Sequence, residues 1–132
     1  MEKKIKILLI EDIPEDIRYA EIVFEKMFGN NHILEVADYF SKAIILLTEK
    51  SFDIIILDLS LPDSKGLINF KKLVKSFSTP VIIYTGLTDE FIKSEAMTFG
   101  AMDYLVKGKT NDDTLKESIV NSIIQYSLDK QK

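Results

Sequence analysis

Apolar runs of strand length alternate with stretches of helical spacing along the whole of this 132-residue chain. Residues 5–10, 33–36, 54–58, 81–85 and 104–106 read as strands. The third run holds four aliphatic residues in succession, Ile54 to Leu57, the pattern of a strand buried on both faces. It ends in a carboxylate, Asp58, with turn residues directly after it. Between the strands, apolar residues recur every three or four positions. The first helix is expected from Pro14, preset for a first helical turn, to Gly29, with Ile17, Ala20, Phe24, Met27 and Phe28 on its inner face. A second follows Ser41 with Ala43, Ile44 and Leu47 inward, and a third follows Gly66 and buries Leu67, Phe70, Leu73, Val74 and Phe77. The fourth starts at Thr88-Asp89 and stops at Gly100. The fifth spans 111–128, with Thr110 as its cap and Leu115, Ile119, Ile123 and Tyr126 inward. His32 reads as a solvated turn residue, and Phe91, Ile92 and Met97 read as packing on the sheet.

Strand-helix alternation five times over predicts an α/β fold with a parallel sheet and helices on both faces. Right-handed crossovers leave two common doubly wound orders, and five strands fit the flavodoxin-like (βα)5 sheet of order 2-1-3-4-5.

Ligands of such sheets bind at the carboxyl ends of the strands, near the point where strand order reverses. The first strand delivers Glu11 and Asp12 there, the third Asp58, the fourth Thr85 and Gly86, and the fifth Lys107. The second, at the edge, delivers only Ala37 and Asp38. In this order the first and third strands are neighbours, roughly 4.8 Å apart. Glu11, Asp12 and Asp58 then share one pocket, where one of them would keep its proton unless countered. The natural counter-charge is a hard cation with oxygen ligands, and magnesium fits. Thr85 and Lys107 face the carboxylates as hydroxyl donor and ammonium, the surroundings that a transferring phosphoryl group requires, with Asp58 as the nucleophile.

Each residue also has an ordinary structural reading. Asp12 has capping-box spacing to Glu15, Asp58 precedes a Leu-Pro-Asp turn, and Thr85 sits where a helix cap would. Lys107 reads as a loop lysine and Tyr104 as strand packing. Together these do not explain why four adjacent strands end in complementary phosphate chemistry while the edge strand does not.

Composition narrows the field. The chain has no cysteine, which excludes disulfides and thiol chemistry. A net charge of −4 argues against a nucleic-acid surface, and the apolar run after the charged start stops too early for a signal peptide or a membrane span. A cytoplasmic protein is expected.

The segments "ILLIED", "DIIILDLSLPDSKG", "VIIYTG" and "DYLVKG", in this order, make the chain resemble the receiver domain of two-component response regulators, the chemotaxis regulator among them. The resemblance covers essentially all of 1–132 and implies one receiver domain with no output domain in this chain. It implies Asp58 as phosphoacceptor, with Asp12 as direct magnesium ligand and Glu11 as the second acid. The backbone carbonyl of Ser60 would be the third protein ligand, and manganese a substitute metal. Thr85 is implied as the switch hydroxyl, Gly86 as the small residue beside it, Lys107 as the phosphoryl partner and Tyr104 as the aromatic that swings inward. Family members often carry proline after the lysine. Here Gly108 stands there, and a cis bond without proline would cost about 3 kcal/mol, so a trans bond and a looser loop are expected.

The implied function is a phosphorylation-controlled signalling domain rather than an enzyme with separate turnover. Its partners would be a histidine kinase or phosphotransfer protein, a downstream protein or fused output domain, and a second copy through the face of the fourth helix, fifth strand and fifth helix. Neither nucleic acid nor membrane is expected. An aspartate-nucleophile phosphatase would want an acid two residues past Asp58, where Ser60 stands. A mononucleotide binder would want a glycine-rich phosphate loop after the first strand, where "EDIPED" repels anions.

Overall fold

The computed structural model describes residues 3–131. Seven strands and five α-helices follow one another as β1 Ile5–Ile10, α1 Pro14–Phe28, β2 His32–Ala37, α2 Phe40–Glu49, β3 Ile54–Leu57, β4 Ser60–Leu61, β5 Ser64–Lys65, α3 Ile68–Ser76, β6 Val81–Thr85, α4 Glu90–Phe99, β7 Asp103–Val106 and α5 Asp112–Lys130. The main sheet is parallel with order β2-β1-β3-β6-β7, which is the expected 2-1-3-4-5 when only its own strands are counted. β4 and β5 form a separate two-residue antiparallel ladder around the Pro62-Asp63 turn, an element the apolar pattern does not announce.

Alternation along the central strands sends side chains to two hydrophobic layers. Leu8, Ile10, Ile55, Leu57, Val81 and Ile83 pack with Ala43, Phe70, Leu73 and Ala96 from α2, α3 and α4. Ile7, Leu9, Ile54, Ile56 and Ile82 pack with Ala20, Val23, Phe24, Leu115 and Ile119 from α1 and α5. A strand buried on both faces has no polar side to show, which is why β3 reads as four aliphatics in a row.

Several local expectations are corrected. β3 ends at Leu57, leaving Asp58 just beyond it. His32 is not a loop residue: it opens β2, half-buried, and its Nδ1 lies 2.9 Å from the Gly29 carbonyl. α2 starts at Phe40 because Asp63, 23 residues away, accepts from the Phe40 and Ser41 amides at 2.7 and 3.1 Å and supplies the missing cap. α5 is capped by Asn111, whose side chain accepts from the Thr114 amide at 2.8 Å, while the Thr110 hydroxyl turns back to the Val106 carbonyl. Tyr126 is half-exposed beneath the Lys130 ammonium rather than inward. On α4 Ile92, Ala96 and Phe99, at helical spacing, pack into the core. Phe91 and Met97, off that face, are 73% and 40% exposed.

Candidate functional site

The sheet's hydrogen bonding runs one residue past the strand ends and so fixes the backbone of the site. The Glu11 amide donates to the Ala37 carbonyl at 2.9 Å, the Asp58 amide to Ile10 at 3.0 Å, and the Lys107 amide to Thr85 at 2.8 Å. With Ile10 paired to Leu57 and Thr85 to Val106, the residues after β1, β3 and β7 stand along one edge beside the end of β6.

Asp58 lies at the centre, almost fully buried. Its Oδ1 accepts from the Thr85 hydroxyl at 2.8 Å and from the Ser60 amide at 3.2 Å, and its Oδ2 accepts from the Lys107 ammonium at 2.9 Å. Burial by itself would push the Asp58 carboxyl up, but the bonds from Lys107 and Thr85 outweigh it and hold the group below the ordinary aspartate range. Glu11 behaves oppositely. Burial, aided by the neighbouring Asp58 charge, pushes it up to about 7 against the pull of its Lys107 bond. The carboxylate repulsion expected from the sequence therefore falls on Glu11.

The Glu11 Oε2 also accepts from the Asp12 and Ile13 amides at 3.0 and 3.2 Å. α1 has Ile13 at its N-cap with no side-chain cap, so the capping-box reading of Asp12 does not hold. Asp12 Oδ1 is instead buried with no hydrogen-bond partner, the single such side-chain atom among the described residues. Glu11, Asp12 and Asp58 each offer an oxygen, and these lie within 4.8 Å of one another. An all-oxygen set with an orphaned buried carboxylate oxygen suits a hard divalent cation.

Lys107 is not displaced by its glycine neighbour. Its ammonium bonds Glu11, Asp58 and Asp16, the last at 2.8 Å, and these carboxylates raise its pKa above the ordinary lysine value although burial acts to lower it. The loop is tight rather than loose. Gly108 takes φ +81°, open to glycine at little cost, and both the Lys109 amide and the Thr110 hydroxyl return to the Val106 carbonyl, at 3.1 and 2.9 Å. No cis peptide occurs among the described residues, so the Lys107–Gly108 bond is trans as expected.

Tyr104 lies inward, 5% exposed, with its hydroxyl donating to the Leu87 carbonyl at 2.8 Å. A Cβ placed on Gly86 would meet nothing within 4 Å, so the space beside Thr85 is open. A cleft of about 480 Å³, lined by Asp12, Ser60, Pro62, Lys65 and Leu87 among others, opens next to the acidic cluster. The sequence reading thus brought together Glu11, Asp12, Asp58, Thr85 and Lys107, and it missed Asp16. The signal was there in the second acidic pair of "EDIPED", but a partner 91 residues away leaves no local trace.

A doubly wound sheet with acids, a hydroxyl and an ammonium along its carboxyl edge has the architecture of receiver domains. The profile of the response regulator receiver domain matches residues 7–120, and the chain belongs to that family. Magnesium and an aspartyl phosphate are standard for its members. The response regulator ArlR of Staphylococcus aureus is 33% identical over 103 residues, which is 77% of this chain and 45% of that protein. ArlR of Staphylococcus haemolyticus is 31% identical over 76% of this chain and 45% of its own length, so the chain spans a little under half of these curated relatives. Among solved structures, a receiver domain protein from Clostridium thermocellum superposes with a TM-score of 0.80 at 27% identity, covering 94% of this chain and 98% of that one. A CheY-like receiver from Methanospirillum hungatei gives 0.82 at 19% identity, over 96% and 99%, and speaks for the fold alone.

Proposed function

We propose that this chain acts as one receiver domain across residues 1–132, accepting a phosphoryl group on Asp58 and changing the surface it shows to a partner. The observation that carries the reading is the company Asp58 keeps: a buried carboxylate with a hydroxyl donor on one oxygen and an ammonium on the other, beside two further acids.

In this reading an Asp58 oxygen, kept ionised by Thr85 and Lys107, attacks the phosphorus of a phosphohistidine or small acyl phosphate approaching through the cleft. The new O–P bond forms as the bond to the donor breaks, and the donor leaves with that electron pair. Lys107 and Thr85 then turn their N–H and O–H donors to the phosphoryl oxygens. Glu11, Asp12, Asp58 and the Ser60 carbonyl would hold magnesium, or manganese in its place. When bound, such an ion neutralises charge on the phosphoryl oxygens. Thr85 and Tyr104 form the switch pair, with Gly86 leaving room for the incoming group. Their rearrangement shifts the population presented by α4, β7 and α5.

A histidine kinase or phosphotransfer protein is the donor in this scheme. The receiver of the signal is a downstream protein, an attached output domain, or a second copy docked through the α4, β7 and α5 face. No separate substrate turns over: the domain gains and slowly loses its own aspartyl phosphate. Among the described residues no helix is long and apolar enough to cross a membrane. We place the domain in the cytoplasm, without direct contact to nucleic acid.

The test is intact mass after incubation with magnesium and a small acyl phosphate. The native chain should gain one alkali-labile phosphoryl group, and Asp58→Asn none while keeping its circular dichroism. Stoichiometric labelling of Asp58→Asn would remove Asp58 as the acceptor.

A further inference from the structure

Lys107 has three N–H bonds to give, and three carboxylates take them: Glu11 after β1, Asp58 after β3 and Asp16 in the first turn of α1. These three are not equivalent. Glu11 and Asp58 belong to the cluster whose oxygens converge within 4.8 Å with Asp12, whereas Asp16 stands outside it. Any cation held by the cluster competes with the ammonium for Glu11 and Asp58. Asp16 is the partner that such competition leaves to Lys107.

The side chain needs that partner. The bonds to the Val106 carbonyl fix the backbone around Gly108, at φ +81°, but they do not reach the Lys107 ammonium. α1 supplies anchors at both ends of the segment. Asp16 holds Lys107 at 2.8 Å, and Tyr19, three residues along on the same helix face, donates its hydroxyl to Asp112 in the first turn of α5 at 2.5 Å. Between them lies a cavity of about 340 Å³ lined by Asp16, Tyr19, Tyr84, Lys107, Gly108 and Thr110. Without Asp16 the lysine would have room to swing away from Asp58.

We propose that Asp16 is a positioning residue, holding the Lys107 ammonium beside Asp58 once a divalent cation takes over the charges of Glu11 and Asp58. The proposal rests on Asp58 being the phosphoacceptor, but one arm of its test does not. In chains labelled with ¹⁵N-lysine, the Nζ resonance of Lys107, assigned by its loss in Lys107→Arg, should be visible with and without magnesium. In Asp16→Asn it should broaden beyond detection when magnesium is added, and Asp16→Glu should restore it. Phosphoryl uptake at saturating acyl phosphate should fall about tenfold in Asp16→Asn and recover in Asp16→Glu, because the charge-assisted bond that orients the ammonium is gone. The melting temperature of metal-free Asp16→Asn should stay close to that of the native chain. A sharp Lys107 resonance in magnesium-loaded Asp16→Asn would overturn the proposal, as would native uptake by that variant. If the native chain itself takes up no phosphoryl group, the acceptor reading fails, and the resonance comparison still decides the part of Asp16.

Discussion

Glu11 offers a sharp test of how the acidic cluster is balanced. Its carboxyl is raised from 4.5 to about 7, first by burial and then by Asp58, with Lys107 pulling the other way. A carboxyl whose folded value exceeds its unfolded one binds more protons in the native state, so stability falls as pH rises between the two values. The contribution is complete below about 4.5 and gone above about 7. At about 1.4 kcal/mol per pH unit the whole effect is roughly 3 kcal/mol, of which about 2.5 kcal/mol falls between pH 5 and pH 8. For a domain of this size that is a drop of roughly 8 °C in melting temperature. The assay is urea denaturation in EDTA at half-unit pH steps, on the native chain and on Glu11→Gln. The difference between the two removes the groups remote from Glu11 and leaves Glu11 with its partners Asp58 and Lys107. The native chain should lose its advantage steadily across the window. Parallel profiles would refute the argument and mean that Lys107 keeps Glu11 ionised throughout.

Three other outcomes follow from the same geometry. Magnesium at a tenfold excess over its dissociation constant should add about 1.4 kcal/mol to stability at neutral pH, and a flat calorimetric response at millimolar magnesium would count against the cluster as a metal site. Asp63→Ala should cost about 1 kcal/mol through the loss of the α2 cap. Because the Phe40 amide holds the Asp63 carboxyl below its usual 3.8, that difference should persist at neutral pH and fade as pH falls below about 3.8, read by chemical denaturation. Phe70→Ala, emptying a ring that is 1% exposed under α3, should cost about 3–5 kcal/mol; a loss under 1 kcal/mol would show that the layer collapses around the gap.

Periodicity was enough for the sheet order, because a doubly buried strand and an amphipathic helix each write their surroundings into consecutive residues. β1 and β6 have the expected bounds, and Glu11, Asp12 and Thr85 follow from where they end, as Asp58 and Lys107 do from the ends of β3 and β7. What escaped was set by distant partners. The start of α2 depends on Asp63, the seat of Lys107 depends on Asp16, and neither bond has a local signature. Thr110 and Asn111 both belong to the cap-forming residue types, and the bond from the Thr110 hydroxyl back to Val106 leaves the cap to Asn111, the stronger of the two. Phe91 and Ile92 differ by one helical step of about 100°, too fine to resolve in a helix of ten residues of which half are apolar.

The two hydrophobic layers on either side of the sheet have a bearing on how such a chain can change. Ile54 and Ile55 are chain neighbours, yet one packs toward α1 and α5 and the other toward α2, α3 and α4. Substitutions within one layer share contacts and should couple, whereas substitutions separated by the sheet should add. Sequence drift can therefore remodel the α1 and α5 side without retuning the other, and the converse. The acids, hydroxyl and lysine at the carboxyl edge are drawn from strands common to both layers, which leaves them as the place where two otherwise independent histories have to agree.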